Sequence, residues 1–205
     1  MSSDPPSAGP SPAAEDSVAG RPKLGLSALV RLRGIALVEA LERHVPGARQ
    51  HADATGSYAF ATAVTLGLDR SHADAVREAA KLHDIGLVYI GAATLKKPPE
   101  ELDDDERSSL AKHPSTGAQL AHGAGIPDEV CEWLRRWAEP YEGSADLPLE
   151  SRIIHAACRC DAALSAPGLE PDRRAASAAA YLRSVSGSLL DPGAAEALAS
   201  ILERS

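Results

Sequence analysis

The sequence predicts an all-α fold, and three observations point there. Alanine and leucine abound, whereas aromatic residues are confined to two Trp, four Tyr and one Phe in 205 residues, a composition that suits close packing of helices. Apolar residues recur at intervals of three and four along most of the chain. No segment carries the period-two alternation of a half-buried strand. With 44% apolar residues at this length, the chain can bury one proper core, so one domain is expected.

Residues 1–22 are rich in Pro, Ser, Ala and Gly and lack apolar periodicity, which predicts a disordered tail ahead of a helical domain over residues 23–205. Asp4, Glu15 and Asp16 stand where a signal peptide needs basic residues, and no apolar run follows them. A first helix is expected over residues 26–43, ended by Val45-Pro46-Gly47. A second covers residues 48–66 and stops at Gly67, because glycine adopts the left-handed conformation that closes a helix. The third covers residues 71–82 and carries His83-Asp84 at its end.

Residues 86–102, with Lys97-Pro98-Pro99, read as a loop. Asp103 then caps a helix through Lys112. The acidic run Asp103-Asp104-Asp105-Glu106 suits the positive end of that helix better than a calcium site. Shorter helices are expected over 115–123 and 128–138, longer ones over 149–165 and 171–186, and a last one over 192–204.

The formal charge of −8 argues against binding of nucleic acid polymers, which are held by clusters of Lys and Arg. It leaves room for a small anion in a locally basic cleft, for which Lys96-Lys97, Arg135-Arg136 and Arg152 are candidates, although such side chains are more often solvated. No apolar stretch approaches the roughly 18 residues that span a bilayer. Cys131, Cys158 and Cys160 form no even-numbered framework, and the last two are too close for an ordinary bridge, so a reducing, cytoplasmic location is expected.

Chemistry concentrates at His83-Asp84, within Ala80-Lys81-Leu82-His83-Asp84-Ile85-Gly86. An imidazole beside a carboxylate suits a divalent metal able to activate water. The dipeptide gains weight from an ordered set: His51, then His83-Asp84-Ile85-Gly86, Lys97-Pro98, Leu102, His113-Pro114-Ser115-Thr116-Gly117, Arg152-Ile153 and Asp161-Ala162. Across residues 34–203 this order resembles the HD-GYP subfamily of HD-domain metal-dependent phosphohydrolases. The resemblance implies an HD-domain-like helical bundle and metal ligands at His51, His83, Asp84 and His113. It also implies a catalytic role for Asp84, whose carboxylate would bridge metals, and a phosphoester substrate such as a cyclic dinucleotide or nucleotide.

Departures from the subfamily pattern fall around the same residues. Its lysine after the His-Asp pair is Leu87 here, expected on the same side of a continuing helix. Its two adjacent histidines and glutamate correspond to Trp137-Ala138-Glu139. Its Gly-Tyr-Pro loop is shortened to Glu142-Gly143-Ser144-Ala145-Asp146-Leu147-Pro148 and lacks the signature. Its last metal-binding aspartate aligns with Cys158, either a thiolate ligand or a small buried residue. His155, one turn earlier, is a secondary candidate.

Two readings follow. One is a divergent phosphohydrolase with a partly degenerate centre of His51, His83, Asp84 and Cys158, which would suit zinc or ferrous iron. It would hold at most one Fe, Mn or Zn tightly, with weak or lost activity and Asp84 and His113 as the remnant of a second site. The other is a non-catalytic HD-like signalling module that binds a partner protein or nucleotide without cleaving it; a centre that holds no metal also stays open.

Overall fold

The computed structural model describes residues 24–143, 146–168 and 170–204. The expected N-terminal tail lies outside the described residues. Among those residues the fold is all-α, and the only pairing of β type is an isolated bridge between Ser186 and Leu190. The helices are α1 (Leu26–His44), α2 (Ala48–Thr65), α3 (Arg70–Ala80), α4 (Ala92–Leu95), α5 (Asp104–Ala111), α6 (His113–Gly123), α7 (Asp128–Arg136), α8 (Leu149–Leu164), α9 (Pro171–Ser184) and α10 (Pro192–Glu203).

Helix boundaries have local causes. Gly67 closes α2 with φ +88°, and Asp69 starts α3 by accepting hydrogen bonds from the amides of Ser71 and His72. Asp103 and Glu106 form a reciprocal capping box at α5. Asp191 accepts from the Ala194 amide at the start of α10 and also holds Arg152 of α8 at 2.7 Å, so the cap doubles as a link between helices.

The centre of the molecule is α2, which packs against both α3 and α8. Small residues make those contacts close: Ala59 and Ala63 on α2, Ala73 and Ala79 on α3, and Ala156 and Ala157 on α8 have no exposed surface. One apolar cluster joins α1, α2, α3, α6, α7 and α8 through Val30, Leu41, Ala59, Val76, Ala118, Val130, Leu134 and Ile153. A second joins α8, α9 and α10 through Cys160, Leu182, Leu190 and Leu198.

Residues 86–102 depart from the expected loop. They begin within a 3-10 helix, Ile85–Tyr89, and continue through α4 and a second 3-10 turn, Pro99–Glu101. Turns this short are too brief to display an apolar period. The helix carrying His83-Asp84 also ends earlier than expected, at Ala80. Leu87 therefore does not continue α3; it sits in the 3-10 helix and packs partly buried against the larger apolar cluster.

The 3-10 helix is pressed onto the start of α6. A Cβ added at Gly86 would lie 2.0 Å from the His113 carbonyl oxygen and 2.8 Å from the Gly117 amide nitrogen. Glycine at 86 lets two backbones meet there. This contact sets the spacing between Asp84 and His113.

Candidate metal centre

His51 on α2, His83 and Asp84 in the turn after α3, His113 at the head of α6 and Cys158 on α8 come together although they are far apart in sequence. His51 Nε2 lies 3.2 Å from His83 Nε2 and 3.8 Å from Cys158 Sγ. One donor atom each from His51, His83 and Cys158 falls within 4.8 Å of the others. Asp84 stretches across the group: Oδ2 lies 3.3 Å from His83 Nε2 and 3.7 Å from His51 Nε2, and Oδ1 lies 3.3 Å from His113 Nε2.

Each imidazole is oriented through its other nitrogen. His83 Nδ1–H donates to the Ala80 carbonyl at 2.8 Å and His113 Nδ1–H to the Leu110 carbonyl at 2.6 Å. His51 Nδ1–H donates to Asp161 Oδ2 at 2.6 Å. All three acceptors are oxygens, so the three Nε2 atoms are left facing Asp84. Anchoring one ring nitrogen so that the other faces an ion is how proteins prepare histidine ligands. His113 Nε2 is buried without a well-aligned hydrogen-bond partner, which an ion next to Asp84 would supply.

The charges agree with that fit. Asp161 chiefly, and Cys158 next, raise His51 to about 9. Burial works against the charged form of His83, yet Asp84 and Cys158 outweigh it and raise that imidazole well above its usual value. Burial likewise opposes ionisation of Asp84, but His83 and His113 hold its carboxyl far below the usual range. Cys158 is brought down to about 7 because His83 and His51 overcome the desolvation of the thiolate. Without an ion, protons supply the positive charge the two anions require; an ion would compete for the same lone pairs.

Cys158 and Cys160 face different surroundings. Burial pushes Cys160 up to about 12 within the apolar cluster of α9 and α10, while Cys158 turns toward His51. His155 does not join the donors: its Nδ1 faces the Glu139 carbonyl at 3.3 Å, and burial lowers it to about 4. Trp137 lies edge-on to His83, His113 and His155, with ring centroids 4.7, 5.6 and 6.0 Å away.

The cations proposed for an anion cleft are largely paired elsewhere. Lys97 bonds Glu106, Arg135 bonds Glu132, Arg136 bonds Glu139 and Arg152 bonds Asp191. In the shortened connection, the amides of Tyr141 and Glu142 donate to the carbonyls of Leu189 and Ser188, and Ser144 and Ala145 lie outside the described residues.

Asp161 had no assigned role in the sequence reading. The available signals were its place in the ordered set, as Asp161-Ala162, and its position three residues after Cys158 on one helix, which places the two on neighbouring surface. Asp161→Asn is expected to weaken metal binding about 10- to 100-fold while leaving the helical circular dichroism unchanged. Competition titration against a coloured chelator measures this, and unchanged affinity would remove Asp161 from the centre.

Comparisons with known proteins agree with this architecture. A model of the HD domain matches residues 48–163. The chain is 32% identical over 173 residues to the cyclic di-GMP phosphodiesterase response regulator RpfG of Xanthomonas campestris pv. campestris (strain 8004), covering 79% of this chain and 45% of that protein. It thus spans less than half of the length of that relative. The HD domain of the L. monocytogenes phosphodiesterase PgpH superposes with a TM-score of 0.62 at 15% identity, over 82% of this chain and 95% of that one. The same domain in complex with cyclic-di-AMP gives 0.61 at 16% identity, over 82% and 93%. Bd1817, described as a HDG"Y"P protein from Bdellovibrio bacteriovorus, gives 0.60 at 20% identity, over 76% and 52%. Among the described residues no helix is long and apolar enough to cross a membrane.

Proposed function

Since the chain belongs to the HD-domain family, we propose that it is a metal-dependent phosphohydrolase of reduced power, with a phosphoester of the cyclic dinucleotide or nucleotide class as its substrate. The observation that carries this reading is the convergence of His51, His83 and Cys158 within 4.8 Å, with Asp84 Oδ2 against both imidazoles. His51, His83, Asp84 and Cys158 would hold one ion, and Asp84 Oδ1 with His113 would form a second, incomplete position. A divalent Fe, Mn or Zn supplies the means to lower the pKa of water and to neutralise charge developing on a phosphoryl group.

The protein's own contribution is orientation. Asp161, Ala80 and Leu110 fix the three rings, and the carboxylate of Asp84 spans both positions. Low turnover is expected because the second position has few donors, and because Leu87, packed into the core, brings no cation to the substrate. Those features also favour the second reading, a module that binds a nucleotide or a partner protein without cleaving it. Product formation from cyclic di-GMP or cyclic di-AMP, with added manganese or with ferrous iron under anaerobic conditions, separates the two. Metal-dependent turnover supports the enzyme; binding without turnover supports the module.

Metal removal gives an independent measure. A ligand held at 100 times its dissociation constant stabilises the folded state by about 2.7 kcal/mol, and about 1 kcal/mol moves the melting temperature of a chain this size by about 2–4 °C. Chelation is therefore expected to lower the wild-type melting temperature by about 5–10 °C. Cys158→Ala should shrink that difference and Cys158→Asp should preserve it. Equal melting with and without chelator, together with a destabilised Cys158→Asp protein, would leave Cys158 as a core residue and the metal site without support.

A further inference from the structure

The second position beside Asp84 is bounded by a residue of a different kind. Asp84 Oδ1 and His113 Nε2 lie 3.3 Å apart. Trp137 stands edge-on to His113 at 5.6 Å and to His83 at 4.7 Å between ring centroids, and is 6% exposed. An indole has no lone pair to offer a cation. Its one polar group, Nε1–H, is a donor only, and here it is buried without a protein partner. His155 has a neutral imidazole of the type that binds metals, yet it also lies edge-on to this indole, 6.0 Å away, and faces Glu139 instead.

We propose that Trp137 sets the number of ions the centre accepts, by filling the space beside Asp84 and His113 that further ligands of a second ion would need. This rests on the metal-binding reading above and extends it. Divalent ions are held tightly by about four or more donors, and the Asp84 and His113 pair falls short of that. The open coordination positions cannot be completed by water while the indole occupies them. Trp137 thus acts as a specificity-determining residue for metal nuclearity, standing edge-on to His83 of the first position and His113 of the second.

Manganese titration read by elemental analysis and electron paramagnetic resonance tests the idea in the full chain. The wild type is expected to retain one Mn per chain with the spectrum of an isolated ion. Trp137→His, which replaces apolar bulk by a donor, should retain two, with the exchange-coupled spectrum of neighbouring ions bridged by a carboxylate. Trp137→Gln offers a second donor if the histidine variant folds poorly, and Trp137→Phe should remain at one. Two ions in the wild type, or one ion in folded Trp137→His and Trp137→Gln proteins, would overturn the proposal. So would loss of a bound ion on His113→Gln in the wild-type background, a measurement that needs no variant at 137. A wild type that retains no ion at all counts against the metal-binding reading itself.

Discussion

Asp84→Asn is expected to reduce metal-dependent phosphoester hydrolysis by roughly 10³-fold or more, the equivalent of several kcal/mol of lost charge stabilisation. The two oxygens of Asp84 face both positions, with His83 and His51 on one side and His113 on the other. An amide of the same shape keeps the packing but cannot balance a cation. The same substitution should lower the melting temperature of the chelated protein at pH 7, because His83 loses the anion that sustains its charge. The folded-state pKa of Asp84 is depressed, so its contribution is present above the ordinary carboxylate range and is lost as the pH falls through the folded value. The wild-type and Asn proteins should therefore converge in strong acid. Turnover that survives Asp84→Asn would assign the activity to a contaminant or to another site.

Among the described glycines, Gly86 is where an added methyl group (Gly86→Ala) should do most damage. Its Cβ would lie 2.0 Å from a backbone oxygen, and neither that carbonyl nor the Gly117 amide can swing away as a flexible side chain would. Either the 3-10 helix or α6 must shift. Overpacking costs about 1–3 kcal/mol, and a rigid backbone site belongs at the upper end, a fall of about 6–12 °C in melting temperature. Because the displaced elements carry Asp84 and His113, metal affinity should fall along with stability. Gly123→Ala is the control: nothing lies within 4 Å of its Cβ, and alanine is the better helix former. Equal melting temperatures for the two variants would show that the contact between the 3-10 helix and α6 yields easily.

The long helices were legible because their apolar period and their punctuation agree. Gly67 ends α2 and Asp103 begins α5 where their chemistry predicts, while the caps Asp69 and Asp191 emerge only with the structure. The stretch around the His-Asp pair was less legible: α3 ends at Ala80 and the chain bends, and nothing in an apolar pattern separates a 3-10 turn from a loop over five residues. That bend changes the meaning of Leu87, which packs inward instead of continuing a helix face. Within the site, residues of ligand type stand out by identity. Asp161 and Trp137 act through position, one by anchoring His51 and the other by filling space, and position is visible only once α8 and the end of α7 have been placed.

The hydrogen bond from His51 to Asp161 joins residues 110 positions apart, and the other donors come from the segments between them. A chain in which α2, α3, α6 and α8 are still apart cannot present this set of donors, so an ion has little to hold until those helices have closed. An interaction that forms after the rate-limiting barrier slows unfolding and leaves refolding speed almost unchanged. Loading with metal should therefore show itself first in time: a longer native-state lifetime, and slower cleavage by proteases that wait for the chain to open.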